Sequence, residues 1–138
     1  MEKLVLGNQV KLVMTGPDQV EQEFPCASHF WKNGYHYFLY EEKLEGYETA
    51  FRSRIKCRDG YLEIHRSGEA GMNMVFEENK SHRAQYQVPY GQIVMDISTH
   101  SVSMREEASR LSVRAAYTMT VNGTELEQSV WSMKVANC

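Results

Sequence analysis

Arg58-Asp59-Gly60-Tyr61-Leu62-Glu63-Ile64-His65-Arg66-Ser67-Gly68 opens the stretch, running to Thr99, whose reading decides the fold. Leu62 and Ile64 alternate with Glu63 and His65, and Ser53, Ile55 and Cys57 alternate in the same way before Asp59-Gly60. Period-two alternation on both sides of an Asp-Gly pair is the signature of a β-hairpin. Beyond it, Met72-Asn73-Met74-Val75-Phe76 and Tyr86-Gln87-Val88-Pro89-Tyr90-Gly91 read as further short strands and a turn.

The same period extends outward. Val10, Leu12 and Met14 alternate near the start, and Leu111, Val113, Ala115, Tyr117, Met119 and Val121 make a long strand with one apolar face. Asn33-Gly34 and Asn122-Gly123 join Asp59-Gly60 as pairs that tolerate the positive φ angles of type I′ turns. Longer hairpin loops fit 43–46, 67–71, 77–81 and 89–91. The reading predicts ten strands over 3–14, 25–32, 35–42, 47–58, 61–66, 72–77, 82–88, 92–104, 109–121 and 124–136. Only 18–24 and 104–111 could hold a short helical turn. A meander of hairpins this long leaves costly edges unless it closes on itself. The expected fold is therefore all-β, a single antiparallel up-and-down barrel of about 8–10 strands, spanning 1–138 as one domain. A two-sheet sandwich is the alternative, but its crossovers need longer connections.

Composition sets the outer bounds. At 138 residues, 42% apolar and 24% charged, the chain is globular and long enough for one core. A net charge of −3 and a pI near 6.0 give no general pull toward nucleic acid or membrane. Met1 to Gly7 lacks the cationic start and apolar run of a signal peptide, and no stretch is long and apolar enough to cross a bilayer. Cys26, Cys57 and Cys138 are odd in number, far apart and without a Cys-x-x-Cys pair, so neither a zinc ribbon nor a disulfide framework is indicated. A cytoplasmic protein with reduced thiols is the expectation.

Tyr40-Glu41-Glu42, Ile64-x-Arg66-x-Gly68, Met74-x-Phe76, the Pro89-Tyr90-Gly91 turn and the closing Asn122-Gly123 hairpin resemble the bacterial YwiB-like family. The resemblance runs over nearly the whole chain. It implies a closed barrel of calycin type, related in shape to lipocalins, and carries no activity with it.

Counting across the hairpins identifies the inward set. Cys57 faces Leu62, Ile55 faces Ile64 and Ser53 faces Arg66; Trp31 faces His36 and His29 faces Phe38. A four-residue loop at 43–46 would set His36 opposite Ser53, and a five-residue loop at 67–71 sets Arg66 opposite Met72. One inward rung then runs Trp31, His36, Ser53, Arg66, Met72, Tyr86, and the last hairpin adds Tyr117 opposite Gln128. Apolar walls with a few convergent polar groups suit a ligand cavity. The expected function is binding a small anionic or amphipathic molecule inside the barrel. Arg66 would hold the anion, with Ser53, His36, Tyr86, Trp31, Tyr117 and Gln128 around it. The plainer reading keeps Arg66 as a rim or internally paired arginine, with Glu69 close enough to be its partner.

Two other classes stand beside binding. An enzyme could use the same pocket with His36 or His65 as general acid or base. An interaction module could use the outer stripe Arg52, Arg54, Lys56, Arg58, with Tyr37 and Tyr35 opposite Arg52 and Arg54. The stripe's plainer reading is a solvated face in which Glu63 opposes Lys56, and no nucleic-acid partner is expected. His29, His36, His65, His82 and His100 show no metal-ligand spacing, and no P-loop, dinucleotide fingerprint or Gly-x-Ser-x-Gly elbow occurs. Hence no metal or cofactor is expected. Ligand identity and oligomeric state have no sequence signal.

Overall fold

The computed structural model describes residues 6–138. The strands are β1 (Gln9–Thr15), β2 (Glu21–Lys32), β3 (Tyr35–Glu42), β4 (Phe51–Arg58), β5 (Tyr61–Arg66), β6 (Met72–Glu77), β7 (Ser81–Val88), β8 (Gly91–Glu106), β9 (Arg110–Val121), β10 (Thr124–Glu125) and β11 (Ser129–Asn137). From β1 to β9 each pairs antiparallel with the next in sequence, β9 pairs with both β10 and β11, and β11 pairs back to β1. The result is a closed up-and-down barrel of ten staves, because β10 and β11 are two pieces of one stave. No described residue is helical. Both stretches that could have held a helical turn lie largely in β2, β8 and β9. Of the strand predicted over 3–14, residues 3–5 lie outside the described residues.

The hairpin counts hold across the two-residue turns at 33–34 and 59–60. Ser53 faces Arg66, Ile55 faces Ile64, and Cys57 faces Leu62. Trp31 faces His36 and His29 faces Phe38. Asn33 and Gly34 have φ of 53° and 85°, and Asn122 and Gly123 have 51° and 79°, as type I′ turns require. At the third turn only Gly60 is positive, at 84°, so that turn is not type I′. Its tip is docked instead: Gly60 N donates to Val102 O at 3.0 Å, and Met104 N donates to the Asp59 carboxylate at 3.2 Å.

Two counts need correction. The loop after β3 runs over 43–50, not 43–46, because Tyr47 folds back edge-to-face on Phe51 at 4.9 Å and Gly46 turns at φ 89°. His36 therefore faces Cys57, and Ser53 faces Tyr40. A shift of four residues is even, so every side chain keeps its face, but it moves His36 about 13 Å along the barrel from Ser53. In the last hairpin an extra residue between Glu125 and Ser129 makes a bulge, so Tyr117 faces Ser129 and Val113 faces Met133. Gln128 sits in that bulge, exposed and outside the barrel. Further register breaks fall at His100 in β8 and at Pro25-Cys26 in β2, where a proline in a strand is tolerated.

Leu12, Phe38, Ile55, Leu62, Phe76, Ile97, Leu111 and Met133 fill the inside and are buried completely or nearly so. Each such side chain contributes about 1.5–3 kcal/mol of apolar burial. The alternating strands leave the barrel with two ends. One, the upper end, carries the turns at 33–34, 59–60, 78–80 and 107–109; the lower end carries 16–20, 43–50, 67–71, 89–90 and 122–123.

Candidate functional site

The eight-residue loop splits the expected rung between the two ends. Ser53, Arg66, Met72 and Tyr86 stay together toward the lower end, and Trp31 and His36 stand at the upper.

At the lower end Arg66 does point inward, and it is 5% exposed. Its Nε donates to Ala70 O at 2.7 Å, its Nη1 lies 3.3 Å from the Glu42 carboxylate, and its guanidinium sits 5.3 Å from the centre of the Tyr86 ring. Ser53 Oγ donates to the same Glu42 oxygen at 3.3 Å. The partner is thus Glu42, 12% exposed, and not Glu69, which is exposed. Glu42 continues the inward phase of His36, Phe38 and Tyr40 along β3, so an in-phase acid was the available signal. Burial, with Glu42 next in effect, raises the Tyr40 hydroxyl well above the ordinary tyrosine range. The 67–71 loop that supplies Ala70 O is tightly made. Gly68 has φ 98°, and a Cβ on Gly71 would stand 2.9 Å from Gly68 O.

The upper end is built differently. His29 and His36 are 9% and 6% exposed, and His29 stacks on Phe38 at 5.0 Å. His29 Nδ1 is 2.9 Å from Gly7 O, and His29 Nε2 is 2.9 Å from His36 Nδ1. A carbonyl only accepts, so His29 Nδ1 carries the hydrogen. For the neutral pair the rest follows: His29 Nε2 accepts, His36 Nδ1 donates, and His36 Nε2 is a bare lone pair. That nitrogen is buried and has no hydrogen-bond partner among the described residues. Desolvation, then the neighbouring His29, lower the His36 pKa to about 4, so the ring is neutral at pH 7. It faces a cleft of about 310 Å³ lined by Trp31, Arg58, Asp59, Met104 and Glu106. The Glu106 carboxylate lies 3.8 Å from Nε2. Two acceptors therefore converge on one space. Trp31 meets His36 edge-on at 4.6 Å, but at 59% exposure it is a rim residue and not the interior one expected.

Tyr117 is inside, 4% exposed, edge-to-face with Phe76 at 4.9 Å, and burial raises its hydroxyl pKa. It belongs to the packed core between the two ends. Glu106 and Asp59 were missed from sequence because their approach depends on β8 running to Glu106 and bending over the β4–β5 tip.

On the outer wall the same four-residue shift re-pairs the stripe. Tyr37 faces Lys56, not Arg52. Lys56 Nζ sits 4.4 Å from the Tyr35 ring centre and Arg58 lies 4.8 Å from it. Glu63 faces Lys56 as expected and pairs with Arg54 at 2.8 Å. His65 is on this outer wall beside Asn73, at 3.3 Å. No group of three or more metal-binding side chains occurs among the described residues, nor a helix long and apolar enough to cross a membrane.

A family described as a domain of unknown function, DUF1934, matches residues 7–132. The chain belongs to the DUF1934 family. The structure of YwiB from Bacillus subtilis resembles this DUF1934 barrel with a TM-score of 0.68 at 22% identity, over 94% of this chain and 89% of that one. At that identity the likeness concerns the fold, and it agrees with the resemblance read from the motifs. No curated protein matches. The Arg66 and His36 clusters both lie within the matched residues, from Gly7 behind His29 to Glu106.

Proposed function

We propose that the protein is a cytoplasmic small-molecule-binding barrel whose ligand sits at the upper mouth, between Trp31, His36 and Glu106. One observation carries this: the buried His36 Nε2 lone pair, without a partner among the described residues, beside a carboxylate. A buried acceptor left unmatched is costly, and a donor from a ligand relieves it. Two acceptors suit an amine or another strong hydrogen-bond donor, and a cleft near 310 Å³ suits a compact ligand. The inside of the barrel is filled by Phe38, Phe76 and their neighbours, which favours the mouth over a deep cavity. An anion at Arg66 would have to displace Glu42. A neutral His36 with a pKa near 4 is a weak general base at pH 7, which favours binding over catalysis.

The test is a panel of small primary amines titrated against a Trp131→Phe background, in which Trp31 is the one tryptophan. Saturable change in Trp31 fluorescence, lost in His36→Phe, is the expected outcome. Absence of saturation across alkyl and aryl amines would overturn the assignment.

A second reading uses the outer wall. Arg52, Arg54, His65 and Ser67 line a groove of about 690 Å³ with Leu39 and Pro25, and Arg54 Nε is buried without a partner among the described residues. An interaction through this groove and the stripe would show as salt-sensitive retention of oligonucleotides or acidic peptides. We expect none at physiological salt.

A further inference from the structure

The Cys57 thiol faces inward from β4 and is buried, with its pKa pushed up to about 12 by desolvation, so it is inert. The other two are exposed and meet at the barrel seam, where β1 is flanked by β11 and β2. Asn137 faces Val10 on one side of β1, and Ala27 faces the same Val10 on the other. Cys138 lies one residue past Asn137, beside Gln9, and Cys26 one residue before Ala27, in the register break of β2. The end of β11 reaches over β1 to the Pro25-Cys26 register break, which lies inside β2. Cys138 Sγ donates to Pro25 O at 3.0 Å, and Cys138 N donates to Gln9 O at 3.4 Å. Cys26 Sγ reaches the side chain of the same Gln9, at 3.7 Å.

We propose that Cys26 and Cys138 are a reversible disulfide site that staples β2 to the end of β11 across β1. The chemistry needs a two-electron oxidant, here a hydroperoxide. The Cys26 thiolate attacks the O–O bond, giving a sulfenic acid and releasing hydroxide, which takes a proton to become water. Cys138 then attacks the sulfenyl sulfur, forming the S–S bond and expelling a second water. Two thiols lose two electrons and hydrogen peroxide becomes two waters. The Cys138 thiol is held above its ordinary pKa, by desolvation first and then by Cys26 beside it, which suits the resolving role. Neither sequence spacing nor a Cys-x-x-Cys motif reports this pair, because it is assembled by the closure of β11 on β1.

The seam also anchors the histidine pair. Gly7, whose carbonyl sets the tautomer of His29, donates its N–H to Asn137 Oδ1 at 2.7 Å, one residue before Cys138. The staple would hold that junction.

The experiment treats the intact chain with stoichiometric hydrogen peroxide, quenches, and alkylates the remaining thiols under denaturing conditions. The expected product is a monomer lacking two hydrogens, with the Cys26 and Cys138 peptides joined, Cys57 alone alkylated, and full reversal by dithiothreitol. Bridging closes a loop of more than a hundred residues, so the oxidised form should melt higher by about 5 °C. Cys26→Ser and Cys138→Ser, both at exposed positions, should fold and give no internal bridge. Retention of both thiols, a bridge to Cys57, or a covalent dimer as the main product would overturn the proposal.

Discussion

The two ends of this barrel handle buried polar groups in opposite ways. At the lower end a cation has its carboxylate: Arg66 meets Glu42 at 3.3 Å, with Ala70 O and the Tyr86 ring completing its surroundings. At the upper end a chain of hydrogen bonds from Gly7 through His29 to His36 stops at a nitrogen with nothing to accept from among the described residues. Both sets are buried, so burial does not distinguish them. The difference lies in whether the chain supplies the last partner. A matched set rigidifies the end it occupies, and an unmatched acceptor at a cleft is a place for something from outside.

The largest effect that separates the ends should come from Arg66→Met. It leaves Glu42 buried without its cation and should lower stability by about 3 kcal/mol in denaturant unfolding. Adding Glu42→Leu should recover most of that loss. If Arg66→Met alone is neutral, the lower end is not a matched pair.

Next comes the pH response of the upper end. The folded pKa of His36, about 4, lies below its ordinary value of 6.5, so between these values the unfolded chain binds the proton and the folded one does not. This contribution is full above pH 6.5 and is lost as pH falls toward 4. Allowing for solvent screening at the cleft, the loss should be about 2 kcal/mol, read as the difference between the wild type and His36→Phe. Parallel pH profiles for the two proteins would remove the buried neutral histidine from the account.

The smallest effect belongs to the outer wall, which serves as a control for both ends. Lys56→Ala removes the contact with Tyr35 and should cost under about 1 kcal/mol. A larger loss would mean that the stripe is part of the barrel's stability and not a solvated face.

Much of the fold was legible because two-residue turns leave no freedom. The counts across 33–34 and 59–60 placed Ser53 opposite Arg66 and Trp31 opposite His36, and both pairs are present. The candidate site was legible in its phase but not in its position. Phase depends only on odd or even spacing, which the loop at 43–50 preserved. Position depends on how many residues that loop consumes, and Tyr47 packing on Phe51 is a tertiary contact with no local signature. Gln128 was lost for a related reason, since one bulge residue in 126–128 re-aims a strand. Glu42 was visible in phase on β3 and passed over in favour of the nearer Glu69. Glu106 could not be seen at all, because only closure of the upper end by β8 brings it to His36.

The central claim is that His36 presents a bare Nε2 to the upper cleft. Nitrogen-15 chemical shifts of the imidazoles, followed from pH 7.5 to pH 5.5, test it directly. The account predicts that His36 is neutral across that range with the hydrogen on Nδ1 and an unprotonated Nε2, coupled to a His29 ring that also carries its hydrogen on Nδ1. A His36 hydrogen on Nε2, or an imidazolium at pH 7, would contradict it and would make the upper end a second matched pair, with Glu106 as the partner.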